Sequence, residues 1–247
     1  MVLVALTSAG CTAFGFIVGT GAIVEKTYDY QDFDEVEIAN NFQFEISYAE
    51  TFSVSISTHE NIFNYLDIAQ TGSTLQIKLR SGSFSSTDAK AAITMPALRG
   101  LTVSGDSHGN ARGFNSTDDF KAVASGTSSI DLDMTAGTTE IDLSGIGKMT
   151  GILNAGDTRI NISGVSRCEI RGTAGTTQID VSGASHFDAP DFEMQNTDIT
   201  VSGASGAEVK TAGDLNIEAT GASTVDYYGS PNIKNVEFSG ASSVHKK

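Results

Sequence analysis

The chain has 247 residues, 26 of them glycine and only three proline, with no tryptophan, and its 30 acidic and 15 basic side chains give a net charge of −15. Such an excess of negative charge repels phosphate backbones and anionic headgroups, and with no basic patch to oppose it nucleic acid is excluded as a partner. Abundant Gly, Ser and Thr suit short strands joined by tight turns rather than long helices, in one body large enough to bury a core.

The first element is a leader. "MVLVALTSAG" is a short apolar run that ends in small residues directly before Cys11, the pattern that precedes the lipid-modified cysteine of a bacterial lipoprotein. Cys11 is therefore the candidate lipid-attachment residue, within a leader and anchor region of residues 1–18. Two features keep other readings open: Ser8 stands where a large aliphatic residue is usual, and no Lys or Arg precedes Lys26. An ordinary signal peptide is one, and an uncleaved anchor within the uncharged residues 1–24 is another. Each version exports the rest of the chain to the cell envelope or surface, attached to the membrane by N-terminal lipid or anchor in two of them. With only two cysteines, Cys11 and Cys168, no disulfide framework is implied.

Residues 19–100 form an N-terminal β region that caps the larger C-terminal part of the chain. "VEIANNFQFEISYAE" and "FSVSIST" alternate apolar and polar residues as half-buried strands do, and "TLQIKLR" does so after the turn signal Thr71-Gly72-Ser73. Ser57 and Glu60 have capping-box spacing ahead of Ile62, Phe63 and Leu66, which predicts a short helix. "SGSFSSTDAK" reads as a polar loop. "AAITMPALRGLTVSG" then reads as a strand, a turn at Pro96 and the entry to a repeat.

From residue 101 to 247 the chain repeats. The glycine of a Ser/Thr-Gly pair falls at 105, 126, 145, 164, 183, 203, 221 and 240, in steps of 18 to 21 residues. In front of it runs an apolar–polar–apolar triplet such as Ile141-Asp142-Leu143, Ile160-Asn161-Ile162 or Ile179-Asp180-Val181. Period two places the first and third members inside, and the glycine lets the chain turn a corner. A second short strand then points Met149, Cys168, Phe187, Ala207, Val225 and Val244 inward. One coil of about 19 residues per repeat, stacked at about 4.8 Å, makes an all-β parallel β-helix, a β-solenoid. Antiparallel propeller blades would need about twice this length per unit.

"GTGAIVEKTYDYQDFDEVEI", "AAITMPALRGLTVSGDS", the repeated "SGAS" and the ending "VDYYGSPNIKNVEFSGASSVHKK" together resemble the head GIN domain family, autotransporter-adhesin-like surface proteins of bacteria. The resemblance covers about residues 19–247. It implies a right-handed β-helix and an envelope location, and it brings no catalytic residues with it.

Chemistry-bearing residues are sparse. Asp142, Asn161 and Asp180 share one outward ladder, and Lys148, Arg167 and His186 hold the corresponding outward positions of the next strand, so these six are the possible ligand surface. They repeat with the coil, as a solvated face does, whereas an enzyme needs convergent groups in a groove. The ladder continues through Thr200, Glu218 and Glu237, and lacking a calcium-loop pattern it is expected to be a weak divalent-cation site at most. His59, His108, His186 and His245 lack zinc-site spacing, and Cys168 alternates with apolar residues as a buried one. The row Ser166, Ser185, Ser205, Ser223 and Ser242 could show hydroxyls to a glycan, but hydrogen bonding between coils is the simpler reading. No metal or cofactor is expected. The expected function is a non-catalytic envelope module, adhesin-like or structural, whose partner is an envelope polymer, a glycan or a surface protein. The alternative is a carbohydrate-active enzyme, a polysaccharide lyase or glycosidase.

Overall fold

A computed structural model describes residues 16–247 and shows the β-solenoid. Alternation fixes each strand: in Thr139–Leu143 and Thr158–Ile162 every second residue is buried. These two strands pair in parallel with Ile141 beside Ile160 and Leu143 beside Ile162. Ile179, Ile199, Ile217 and Val236 extend the column one rung at a time. Met149, Cys168, Phe187, Ala207, Val225 and Val244 form the facing column, all but the last buried. The core is therefore a stack of side chains between two parallel ladders, a first face carrying Thr139–Leu143 and a second carrying Lys148–Asn154. Each isoleucine taken from water contributes about 1.5–3 kcal/mol, and only because a neighbouring rung covers it.

The corner between the faces needs glycine for two reasons. Gly183 has φ +81°, and a Cβ built there would meet the Gly164 carbonyl oxygen at 2.5 Å. That oxygen accepts a hydrogen bond from the Ala184 amide at 2.9 Å, so close approach is what lets the corners bond to each other. A second corner comes after the second strand, at the Ala-Gly pairs of residues 136–137, 155–156 and 174–175. Thr139 and Thr158 just beyond it turn inward, and their hydroxyls donate to the carbonyls of Gly137 (3.2 Å) and Gly156 (3.1 Å).

The ladders run on into the N-terminal third. Glu35–Ile38 pairs in parallel with Gly100–Val103 on one side and with Thr74–Leu79 on the other. Gln43–Tyr48 lies in the same way between His108–Asn115 and Lys90–Met95. The corner joining them is made by Asn40, at φ +83°, and the Asp106 amide bonds to its carbonyl at 2.6 Å as the repeats do to their glycines. Asparagine is one of the few other residues that tolerates this conformation. Glu35–Ile38 and Gln43–Tyr48 thus lie inside the stack, whose end is closed by antiparallel strands from both before and after them in the chain: Leu66–Thr71 on the first face, Ser53–His59 and Ile23–Tyr28 on the second.

The expected helix is a single 3₁₀ turn, Ile62–Tyr65. Ser57 does not cap it, because Ser53–His59 is held as a strand by partners on both sides, and Asn61 ahead of the turn makes no side-chain cap. Burial of Ile62 in the core holds the turn instead. At the other end the last rung, Asn232–Phe238 and Ser243–Lys246, has a neighbour on one side only. Its core-facing Ile233 and Phe238 are 45% and 64% exposed.

Candidate functional site

The six candidate surface residues fall into two groups that do not converge. Asp142, Asn161 and Asp180 occupy adjacent rungs of the first face, and Lys148, Arg167 and His186 adjacent rungs of the second. Within the first group Asn161 Nδ2 donates to Asp142 Oδ1 at 2.7 Å, and Lys121 Nζ reaches Asp142 at 3.2 Å and Glu140 at 3.0 Å. Arg159 bonds to Gln178 at 2.9 Å and lies 3.8 Å from Asp180. An amide or a cation between carboxylates removes the repulsion that a column of acids would carry. The row continues with Glu218 beside Glu237.

On the second face the cations are equally committed. Lys148 lies 3.4 Å from Glu169, and Arg167 bridges Glu169 and Asp188, each at 2.5 Å. Asp188 Oδ2 is buried, and its contact with Arg167 is an ion pair without a well-directed hydrogen bond. His186 is exposed. These side chains flank a column that sequence reasoning missed: Glu169, Asp188, Glu208 and Asp226 stand on four consecutive rungs. Its signal lies in the segments "RCE", "HFD", "GAE" and "TVD", each with an acid one place after the inward residue. Tyr228 donates to Glu208 at 3.1 Å, and His245 (3.1 Å) and Lys247 (2.9 Å) meet Asp226. Those carboxylates hold the Lys247 ammonium above its ordinary pKa, Asp226 first.

The serine row points inward. Ser166, Ser185, Ser205 and Ser223 are buried, and Ser185 Oγ accepts the Ser166 amide at 3.3 Å while Ser205 Oγ accepts the Ser185 amide at 3.4 Å. Ser242, on the last rung, donates to the Ala219 carbonyl at 3.0 Å. Cys168 is wholly buried, and burial, with help from Asp188 and Glu169, pushes its thiol far up and keeps it protonated. His59 bonds to Asp88 at 3.2 Å and to the Gly21 carbonyl at 3.0 Å. Among the described residues no three His, Cys, Asp or Glu side chains are placed to hold a metal ion. Cys11 lies outside the described residues. No described helix is long and apolar enough to cross a membrane.

A depression lies elsewhere, on the second face where the antiparallel strands meet the parallel ladder. It is an open groove of about 600 Å³ lined by Glu25, Glu45, Ser57, Lys90, His108 and Asn110 among others. Sequence reasoning missed it because its walls come from five separate segments with no common period.

Comparison with known proteins supports the architecture. A family model described as "putative auto-transporter adhesin, head GIN domain" matches residues 32–231. A solved structure from Parabacteroides distasonis, described as a putative lipid binding protein, superposes with a TM-score of 0.89 at 18% identity, covering 94% of this chain and 100% of its own. A structure from Parabacteroides merdae, described as a putative adhesin, gives 0.85 at 18% identity over 94% of this chain and 99% of its own. One from Bacteroides fragilis, also described as a putative adhesin, gives 0.71 at 16% identity over 94% and 100%. No curated protein matches the chain.

Proposed function

The chain belongs to the family of auto-transporter adhesin, head GIN domain, proteins, and from that premise we propose that it is a non-catalytic, adhesin-like module exported to the cell envelope. The observation that supports this reading is the commitment of the outward side chains to one another. On the repeats, many carboxylates, amides and cations of adjacent rungs pair across the ladder, as in Lys121–Glu140, Asn161–Asp142 and Arg167–Asp188. Such a surface stiffens a rod and presents it, whereas hydrolysis or elimination needs acids and bases aimed at one reacting atom. Lipid on Cys11 would tether the rod to the membrane, and its partner would be an envelope polymer, a glycan or a surface protein.

Two measurements test this. Cys11→Ser should move the protein from the membrane fraction to the soluble one; retention in the membrane would favour the uncleaved anchor. Purified protein should be probed against glycans, envelope polymers, matrix proteins and lipid vesicles. Specific binding without turnover supports the adhesin-like module, and release of product from a polysaccharide would replace it with the enzyme. Preferred binding to vesicles by the Cys11→Ser protein would favour lipid recognition, the description that one structural neighbour carries.

A further inference from the structure

The groove on the second face gathers polar side chains that the fold leaves without partners. On the repeats many outward side chains pair with the next rung, as in Asn161–Asp142 and Arg167–Asp188, whereas among the described residues Glu25, Glu45, Ser57, Lys90, His108 and Asn110 lie together along the groove with no side-chain hydrogen bond or ion pair to another protein group. Two rows of the sheet bring them together. Glu25, Ser57, Lys90, Gln43 and His108 are successive neighbours across five strands, and Ser55, Ala92, Glu45 and Asn110 form the row beside them. Ala92, small and exposed between Ser55 and Glu45, keeps the floor low.

We propose that this groove is a binding site for a neutral saccharide, with Glu25, Glu45, Lys90 and Asn110 as its principal recognition groups. The inference rests on the adhesin-like reading above and gives it a ligand class and an address. A volume of about 600 Å³ is in the range of small-molecule sites. Sugar hydroxyls donate and accept at once, and the lining supplies acceptors in Glu25 and Glu45, a donor in Lys90, and both in Ser57, Asn110 and His108. Charge decides against an anionic polymer, because Glu25 and Glu45 outnumber Lys90 and the chain as a whole carries −15, while Lys90 between them gives hydroxyls a cationic donor beside the two acceptors. Backbone pairing decides against an added peptide strand. Lys90–Met95 and Gln43–Tyr48 are bonded along both edges, so no main-chain ladder is free there and recognition falls to side chains.

The test uses the whole protein and labelled neutral oligosaccharides of two to six hexose or N-acetylhexosamine units, with affinity read by titration. At least one should bind, and Glu45→Ala and Asn110→Ala should each weaken it tenfold or more. Ala92→Tyr should block the groove by filling it. These side chains point outward, so melting temperatures should stay at the parent value and separate a lost site from a lost fold. Asp142→Asn on the other face should bind as the parent does. Absence of binding to every oligosaccharide overturns the proposal. Binding to cells or matrix that survives Glu45→Ala and Ala92→Tyr also overturns it while leaving the adhesin-like module standing, and cleavage of the bound sugar overturns the non-catalytic reading instead.

Discussion

The rungs from Phe120 to Tyr228 and those from Glu35 to Met95 belong to one pair of ladders, yet they are held together on different principles. In the first set an outward side chain that bonds to another on the next rung finds it 18 to 20 residues away, as with Asn161 and Asp142 or Tyr228 and Glu208. In the second the same contacts span 39 residues for Gln76 and Glu37 and 65 for Phe42 and Ser107. Repetition makes each contact near-neighbour and hence self-propagating, while the N-terminal rungs close long loops before they gain anything. A lesion in the repeats should therefore be felt wherever stacking passes through it. A lesion at an end rung should be absorbed.

The sharpest break is at the shared corner. Gly183→Val puts a β-branched residue at φ +81° and drives its Cβ to 2.5 Å from the Gly164 carbonyl. Backbone strain and overpacking each cost about 1–3 kcal/mol, so a loss of about 2–6 kcal/mol is expected in denaturant unfolding. Ser185→Ala, two residues on, removes only ordinary hydrogen bonding of about 1 kcal/mol. Equal midpoints for the two variants would show that the corner carries no strain.

Next comes the interior column. Ile160→Ala deletes a buried side chain with neighbours above and below and should cost about 2–5 kcal/mol. Val236→Ala changes the same column at its last rung, where one neighbour is missing, and should cost less than about 1 kcal/mol. Amide exchange should show the same gradient, slowest near Ile160 and fast in Asn232–Phe238. A Val236 variant as damaged as the Ile160 one would mean that the final rung is covered by something more.

This contrast also explains what is legible in the sequence. The glycines at 105 to 240 and the triplets ahead of them announce the coil because each recurs at the interval that stacking requires. The rung at Glu35–Tyr48 is hidden in "EIANNFQFE", since Asn40 takes the place of glycine and its neighbours in space are remote in sequence. The Ala-Gly corner recurs in "AGTTE", "AGDTR" and "AGTTQ" yet does not stand out, because its inward Thr residues look polar until their hydroxyls are seen to bond within their own turn. The groove is not legible at all. Its residues come together through antiparallel pairings that no periodicity records.

A smaller effect, of opposite sign, probes how the repeats tolerate like charges. Glu208 stands between Asp188 and Asp226, and its hydrogen bond comes from Tyr228 at 3.1 Å. Glu208→Gln keeps an acceptor for that hydroxyl and removes two repulsions, so stability should rise by about 0.2–1 kcal/mol at low salt. The gain should shrink in about 1 M salt, where the screening length falls to about 3 Å. A loss of stability would show that the column is held by cations that need the third carboxylate.

The smallest effect is expected where the two regions use different residues for one task. Asn40→Gly gives the N-terminal rung the corner residue of the repeats and relieves the cost of holding a non-glycine residue at φ +83°. It also removes the Asn40 Oδ1 that accepts the Leu79 amide at 2.7 Å, a bond that ties this corner to the strand below. Relief of strain and loss of one hydrogen bond are each worth about 1 kcal/mol, and glycine further loosens the unfolded chain, so the net change should lie within about 1 kcal/mol of zero. A destabilisation well above that would mean that Asn40 is needed for its side chain, as the staple that lets a rung without repeat neighbours close against a distant one. A clear stabilisation would mean the reverse, that the corner conformation alone governs both regions and the N-terminal rung is a repeat with a poorer residue at its turn.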